Sequence, residues 1–456
     1  MQIHALDNVD VCLDDGHKYA RRDIRQGEEI IKYGQPIGTA ISDIPKGAHV
    51  HEHNVKTALG DDLTYRYEPK IIPVTPKEDT AYFMGYLREN GEVGIRNEVW
   101  IIPTVVCVGK VAERLAALTG AVAFPHPNGC SQLGDDMSVT QKILAGLVHH
   151  PNAGGVLVLG LGCENNHIAE FKKALGAYDP ERVRFLNTQD EADEIEAGVR
   201  VIKELFAHAA KTERTKQPIS KLRLGLKCGG SDGYSGITAN PLVGRVSDRL
   251  IAMGGSAVLT EVPEMFGAEH LLMRRCVNRD IFDKTVALIN NFKDYFRRHG
   301  QPIYENPSPG NRAGGITTLE EKSLGCIQKG GTAPVVDVLD YGDRLSACGL
   351  SLLNGPGNDA VAITNLTAAG VQMILFTTGR GTPLGAPVPT VKIATNEALA
   401  VRKPAWIDFD ASGTLSGDPM TDALFEKILA IASGEETKNE KNGYKEIAIF
   451  KDGVTL

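Results

Sequence analysis

The chain has 456 residues, enough for two to four domains, and 42% hydrophobic with 23% charged residues is an ordinary globular balance that excludes disorder as the default state. A formal net charge of −8 argues against nucleic acid or an anionic membrane surface as a partner, while a local basic pocket for a small acid stays open. No basic segment precedes an apolar stretch at the N-terminus, so no signal peptide is expected. The eight cysteines read as free or metal-binding thiols, and a soluble cytoplasmic protein is expected.

Residues 1–67 read as a small β domain. The pieces MQIHAL, NVDVCL, EEIIKYG, QPIGTAISDI and AHVHEHN are short and separated by glycines and polar turns. In an extended HVHEHN, alternate side chains share a face, so His49, His51 and His53 would line one side together. That is either a metal or acid–base cluster or a solvated strand face. Residues 68–80 contain Pro69, Pro73 and Pro76 and read as an extended linker.

From residue 81 strands and helices alternate. VWIIPTVVCV reads as a strand, KVAERLAAL as a helix, AVAF as a strand, SVTQKILAGLVHH as a helix, GGVLVLGLG and RVRFLNT as strands. Thr188 with Glu191 three positions on reads as a capping box that opens the next amphipathic helix. This alternation predicts a first α/β domain over 81–210 with a mostly parallel sheet. Residues 211–221 are polar and read as a boundary. A second α/β domain is expected over 222–456, with KLRLGLKC, SAVLT, VVDVL, QMILFTTG and TVKIATN as strands.

Three cysteines follow predicted strands: Cys130 in PHPNGC, Cys163 in GLGCEN and Cys228 in KCGGSDG. Ligands of parallel sheets bind at the carboxyl ends of strands, so these thiols would converge as ligands for iron, zinc or an iron–sulfur cluster. Singly, each reads rather as a small buried residue in a glycine-rich turn. His126, Glu164 and Asp232 are their polar neighbours. The glycine-rich stretches 306–315, 354–359 and 376–385 expose amides suited to anionic oxygens, and Arg380 in the last is suited to a carboxylate. No P-loop or dinucleotide fingerprint occurs. Glu261 and Glu264 follow the strand SAVLT, whereas Glu320 and Glu321 read as solvent-facing on a helix that also carries Lys322. Anion-binding loops, a metal site and His or Glu bases suit proton abstraction beside a carboxylate, as in a hydro-lyase, and equally a metallohydrolase.

The blocks GYLRENGEVGIRNEVWIIPT, PHPNGCSQ, GLGCENN, KCGGSDGYSGITANPLVG, EVPEMFGAE, NPSPGNRAGGITTLEEKSLG and GPGNDAVAITNLTAAGVQMILFTTGRGTPLG resemble the altronate/galactarate dehydratase family, in order and over nearly the whole chain. KGAHVHEHN resembles the SAF (β-clip) domain joined to these enzymes. The resemblance implies a small all-β domain followed by α/β domains, and dehydration of a sugar acid to a 2-keto-3-deoxy acid. It implies Fe2+ as cofactor, with Mn2+ or another divalent metal in its place, or an Fe–S cluster as the competing arrangement. On this reading His51, His53, Cys130, Cys163 and Cys228 surround the metal. His51, His53, His126 and Glu264 supply acid–base chemistry, and Arg380, Lys322, Asn311 and Asn358 hold the substrate, with Arg312 or Lys392 as a second cation for a diacid. Two other readings stay open: a sulfo-lyase releasing sulfite from a sulfonated hydroxy acid, and a non-catalytic sugar-acid binding protein. A homodimer is the default expectation for an enzyme of this size.

Overall fold

A computed structural model describes residues 1–59, 64–77 and 81–456 of the protein. The N-terminal part folds as two three-stranded antiparallel sheets, Val9–Val11 with Lys18–Ala20 and His49–Val50, and Glu29–Lys32 with Gln35–Ala40 and Val55–Lys56. Strand alternation puts Val9, Val11 and Ile30 inside, but also Lys18 and Lys32, which are 0% and 1% exposed. Buried ammonium groups need a partner. Both find Glu321, more than 280 residues away, at 2.8 and 2.7 Å. That shared carboxylate fixes the small domain on the rest of the chain.

HVHEHN is not one extended strand. Pairing ends at Val50, and His51–Asn54 is a turn: Asn54 Oδ1 accepts the His51 N–H at 2.9 Å, and His51 O accepts from the backbone of both Asn54 and Val55. Asn54 at its end therefore closes the turn, its side chain accepting from His51 N–H and donating to His49 O, which alternation of histidines concealed. Residues 64–77 form no helix or strand. They run along the C-terminal part, with Lys70 N–H on Arg274 O and Lys77 N–H on Ala252 O. Residues 60–63 and 78–80, at the ends of the expected β domain and linker, lie outside the described residues.

The middle of the chain forms a four-stranded parallel sheet in the order Val122–Ala123, Glu98–Pro103, Ala153–Gly160, Val183–Asn187. All eight residues of AGGVLVLG are buried, as befits a central parallel strand covered on both faces. Two local readings of the sequence are corrected here. Thr188 opens no α-helix: the helix is Glu194–Ala209, capped by Asp193, whose side chain accepts from Ile195 and Glu196 N–H. The polar stretch 211–221 contains a strand, Thr215–Pro218, antiparallel to Tyr82–Leu87.

The C-terminal part is a seven-stranded parallel sheet in the order Val335–Leu339, Gly349–Leu353, Ser256–Leu259, Arg223–Cys228, Met373–Thr378, Thr390–Ala394, Phe409–Asp410. The two parallel sheets share one hydrophobic core. Helices Asp136–Val148 and Asp359–Ala368 meet in it at Gly146, where a Cβ would lie 2.6 Å from Ala368 O, so only glycine permits this approach. Among the described residues no helix is long and apolar enough to cross a membrane. All eight cysteines are free.

Candidate active site

The strand Arg223–Cys228 opens the first βα unit of the large sheet, and Cys228 is its last residue. The adjacent strand Ser256–Leu259 runs into a turn that forces Glu261 to a left-handed φ of 70° and carries Glu264. Facing both is the helix Leu319–Cys326, capped by Thr318, whose side chain accepts the Glu321 N–H. Every residue of this helix is buried. Glu320 and Glu321 therefore do not face solvent. The small β domain covers that face, with Glu320 accepting from Thr57 Oγ1 at 2.9 Å and Ala58 N–H at 2.7 Å, and Glu321 paired with Lys18 and Lys32.

Cys326, at the end of this helix, lies 3.3 Å from Cys228 Sγ, and Glu264 Oε2 lies 3.1 and 3.0 Å from the two sulfurs. Lys322 Nζ donates to Glu264 Oε1 and to Asn306 Oδ1, both at 2.9 Å. Behind the triad Lys227 pairs with Glu261 and with Asp359 at 2.7 Å, and Lys329 lies 3.4 Å from Glu261. The charges are interdependent. Burial pushes the Glu264 carboxyl up, but Lys322, Lys227 and Lys329 outweigh it and hold it well below the usual range. Burial likewise opposes the charge of Lys322, and Glu264 more than restores it. The hydrogen bond that the Cys326 thiol donates toward Cys228, followed by burial, holds that thiol well above its ordinary range.

Two sulfurs and a carboxylate oxygen are a plausible ligand set for a divalent ion with one position left open. Among the described residues this is the one trio of His, Cys, Asp or Glu whose donor atoms all lie within 4.8 Å of one another. The surrounding charges also fit. Lys227, Lys322 and Lys329 balance Glu261, Glu264 and Asp359, so an ion that displaces two thiol protons leaves the buried charge unchanged. The three contacts would each have to open by about half an ångström to match a tetrahedral edge of about 3.5–3.8 Å.

A cavity of about 720 Å³ opens where the loops after Cys228, Thr378 and Ala394 meet the small β domain at Leu13–Asp15. Arg380 lines it, exposed, and its guanidinium has no side-chain partner among the described residues. Asp14, Asp15, Asp232 and Asn396 surround it. Asp232 also borders a much smaller void of about 10 Å³ whose lining includes Lys322 and Cys326, so it stands in the wall of both.

The structure does not gather His51, His53, Cys130, Cys163 and Cys228 around one ion. Cys130 and Cys163 are exposed at the edge of the four-stranded sheet, and Cys228 is in the buried triad of the other. The histidines do cluster, and with a member the sequence did not suggest. His17 Nδ1 lies 2.9 Å from His49 Nε2, the His51 ring stacks 5.3 Å from that of His49, and His53 lies 5.6 Å from it. Burial, then the neighbouring imidazoles, lowers His49 to about 4, and burial lowers His51, whose Nε2 lies 3.0 Å from Arg312 O. His126 is buried with both nitrogens engaged, Nε2 on Pro103 O at 2.8 Å and Nδ1 accepting from Asn128 N–H at 3.2 Å, which makes it a loop brace and no acid–base group.

Of the expected substrate contacts, Arg380 lines the cavity and Lys322 borders the separate small void. Asn311 is occupied structurally, capping its short helix with Ser308 and donating to Ser231 O at 2.9 Å. Asn358 caps the helix Asp359–Ala368 through Val361 N–H. Arg312 reaches Glu52 at 3.3 Å, and Lys392 is buried, donating to Thr382 O and Leu384 O. Arg402, unmarked in the sequence, is a second arginine lining the cavity. Cys326 and Lys329 were also missed. Their signal was the spacing within LEEKSLGCIQK, where Lys322, Cys326 and Lys329 recur on one helical face.

Two arginines, Arg380 and Arg402, among carboxylates and an amide suit a polyhydroxylated acid, and strand ends are where parallel α/β enzymes bind substrates. Fold and cavity together define an α/β enzyme of small-acid metabolism with an all-β domain closing over its strand ends. Three family models cover the chain: the altronate/galactarate dehydratase SAF domain over residues 2–58, the D-galactarate dehydratase/altronate hydrolase second domain over 85–210, and the D-galactarate/altronate dehydratase C-terminal domain over 219–455. The protein belongs to the altronate/galactarate dehydratase family and is a hydro-lyase. It is 51% identical to altronate dehydratase of Escherichia coli (strain K12), over 100% of this chain and 99% of that one. It is 53% identical to altronate dehydratase of Bacillus subtilis (strain 168), over 97% and 92%. The beta subunit of (2R)-sulfolactate sulfo-lyase of Chromohalobacter salexigens is 33% identical, over 81% and 97%.

Proposed function

We propose that the protein dehydrates a sugar acid of the altronate type to a 2-keto-3-deoxy acid, removing the proton beside the carboxylate and expelling the 3-hydroxyl. The observation that carries this reading is Arg380, an exposed guanidinium without a side-chain partner among the described residues, in a strand-end cavity whose other polar groups, Arg402 apart, are mostly hydroxyl acceptors. In this reading Arg380 takes the carboxylate and Asp14 and Asp15 accept from hydroxyls, while Asp232 and Asn396 hold each other in the cavity wall. The base comes from the imidazole cluster of His17, His49, His51 and His53, in the small β domain whose segment Leu13–Asp15 lines the cavity. His49 and His51 are neutral at pH 7, so they can accept a proton without first losing one. Identity of 51–53% to altronate dehydratases, against 33% to the sulfo-lyase subunit, favours loss of water over loss of sulfite.

A divalent metal, Fe2+ in this reading, would be held by Cys228, Glu264 and Cys326. When bound, such an ion supplies Lewis acidity toward a carboxylate or a departing hydroxide. Lys322 keeps Glu264 ionised for that role, and Asn306 orients Lys322.

The test is anaerobic turnover of altronate, other aldonates, aldarates and sulfolactate with added Fe2+, reading 2-oxo acid and sulfite in parallel. A 2-oxo acid from altronate that disappears with chelator supports the proposal. Sulfite from sulfolactate, or tight sugar-acid binding without turnover, would overturn it.

A further inference from the structure

Three exposed thiols stand at the carboxyl edge of the four-stranded sheet and take no part in the site described above. Cys107 follows the strand Glu98–Pro103, Cys130 follows Val122–Ala123, and Cys163 follows Ala153–Gly160. These strands are immediate neighbours and parallel, so their three loops emerge side by side.

The loops are braced against one another beneath the thiols. Val106 N–H donates to Asn128 O and Asn166 N–H to Gly129 O, both at 3.0 Å, and Thr104 Oγ1 donates to Glu164 at 2.5 Å. Gly129 has a φ of 103° and lies so close to the first loop that a Cβ would fall 2.0 Å from Thr104 O. Buried polar groups this numerous make a rigid floor that a simple surface turn does not need.

Two further features point to a missing ligand. Asn128 is only 6% exposed, yet its side-chain amide nitrogen has no hydrogen-bond partner. An orphaned buried donor two residues before Cys130 is costly unless something accepts from it. Gln189 already donates to Cys163 Sγ at 3.4 Å, the kind of contact that stabilises a sulfur carrying charge.

We infer that Cys107, Cys130 and Cys163 hold an iron–sulfur cluster, with one iron left without a protein sulfur. Spacing argues against a single ion held by all three thiols. Thiolates about 2.3 Å from one tetrahedral ion would sit about 3.8 Å apart. The tightest trio of donors among the described residues is Cys228, Glu264 and Cys326, and these three cysteines do not meet the 4.8 Å that it satisfies. A polynuclear cluster spaces its cysteines more widely, each thiol losing its proton as its sulfur bonds to a different iron. The inference stands apart from the metal placement proposed above, since no residue is shared.

The test uses the full-length protein, reconstituted anaerobically with ferrous iron and sulfide. It reads iron, acid-labile sulfide, visible charge-transfer absorbance and the electron paramagnetic resonance of the reduced sample. The expected result is a brown protein with iron and sulfide in equal amounts. Cys107→Ser, Cys130→Ser and Cys163→Ser should each lower bound sulfide at least about tenfold, while Cys348→Ser and the double variant Cys228→Ser/Cys326→Ser keep it. Where a variant fails to fold, alkylation of the wild-type protein replaces it: the loaded cluster should protect these three thiols and leave Cys348 reactive. Iron without sulfide, a cluster lost only with Cys228 and Cys326, or three unprotected thiols in the loaded protein would each overturn the inference.

Discussion

Cys228 Sγ and Cys326 Sγ lie 3.3 Å apart although 98 residues separate them in the chain, and the Glu264 carboxylate closes the triangle against Lys322. Removing the carboxylate charge leaves Lys322 buried beside a neutral amide. Glu264→Gln should therefore destabilise the protein by about 3–5 kcal/mol, the usual cost of breaking a buried pair from one side. Urea unfolding of the metal-free protein measures this, and a change under about 1 kcal/mol would show that the pair is not closed in solution.

Arg380 offers a cleaner separation of binding from folding, because it is exposed and braces nothing by its side chain. Arg380→Met should raise KM for a sugar acid by about 10–150-fold, the range of a lost charge-assisted hydrogen bond, with little change in unfolding midpoint. Arg380→Lys should recover only part, since one ammonium cannot replace the bidentate fork. Equal KM in all three proteins would move the carboxylate site elsewhere.

Acid stability should depend on Glu321. Burial pushes its carboxyl up, but Lys18 and Lys32 bring it down to about 2, from 4.5. A carboxyl depressed on folding stabilises the native state above its unfolded pKa, and that stability is lost as pH falls through the folded value. The window is therefore pH 4.5 down to 2, and the amount about 3 kcal/mol. Denaturation midpoints across that window should flatten in Glu321→Gln. Lys18 acts in the opposite range. Burial outweighs Glu321 and lowers its pKa to about 8, so the folded state releases its proton first and stability should rise from pH 8 to 10.5.

The imidazole cluster predicts a displaced acid limb. With His49 lowered to about 4, a base drawn from this group should keep kcat/KM level well below pH 6.5, falling only as pH approaches 4. The same depression means that the cluster's contribution to stability is lost between pH 6.5 and 4 on acidification, because the unfolded chain takes up protons there first. His49→Gln should remove the acid limb along with most of the activity. An unchanged pH profile would exclude the cluster as the base.

The parallel sheets were legible because continuous apolar runs such as GVLVLG can only be central strands, and Cys228 and Glu264 could be flagged by standing just after such runs. What escaped notice depended on distant partners. Glu320 and Glu321 look like helix surface until a second domain covers them. Cys326 and Lys329 lie on a helix and follow no strand. Cys107 was hidden inside the apolar run VWIIPTVVCV, whose strand stops at Pro103. His17 could not be grouped with His49 before the pairing of Lys18–Ala20 with His49–Val50 was known.

The helix Leu319–Cys326 has a consequence for assembly. Two of its side chains, Glu320 and Glu321, grip the N-terminal domain, and the next ones along, Lys322 and Cys326, complete the thiol–carboxylate triangle. Undocking that domain would strip Glu320 and Glu321 of their partners on the same helix that carries Cys326, and would bare Lys18 and Lys32 on the departing domain. The domain cannot come off quietly: any enzyme missing it would announce the loss in the chemistry of its thiols before any change in the sheets behind them.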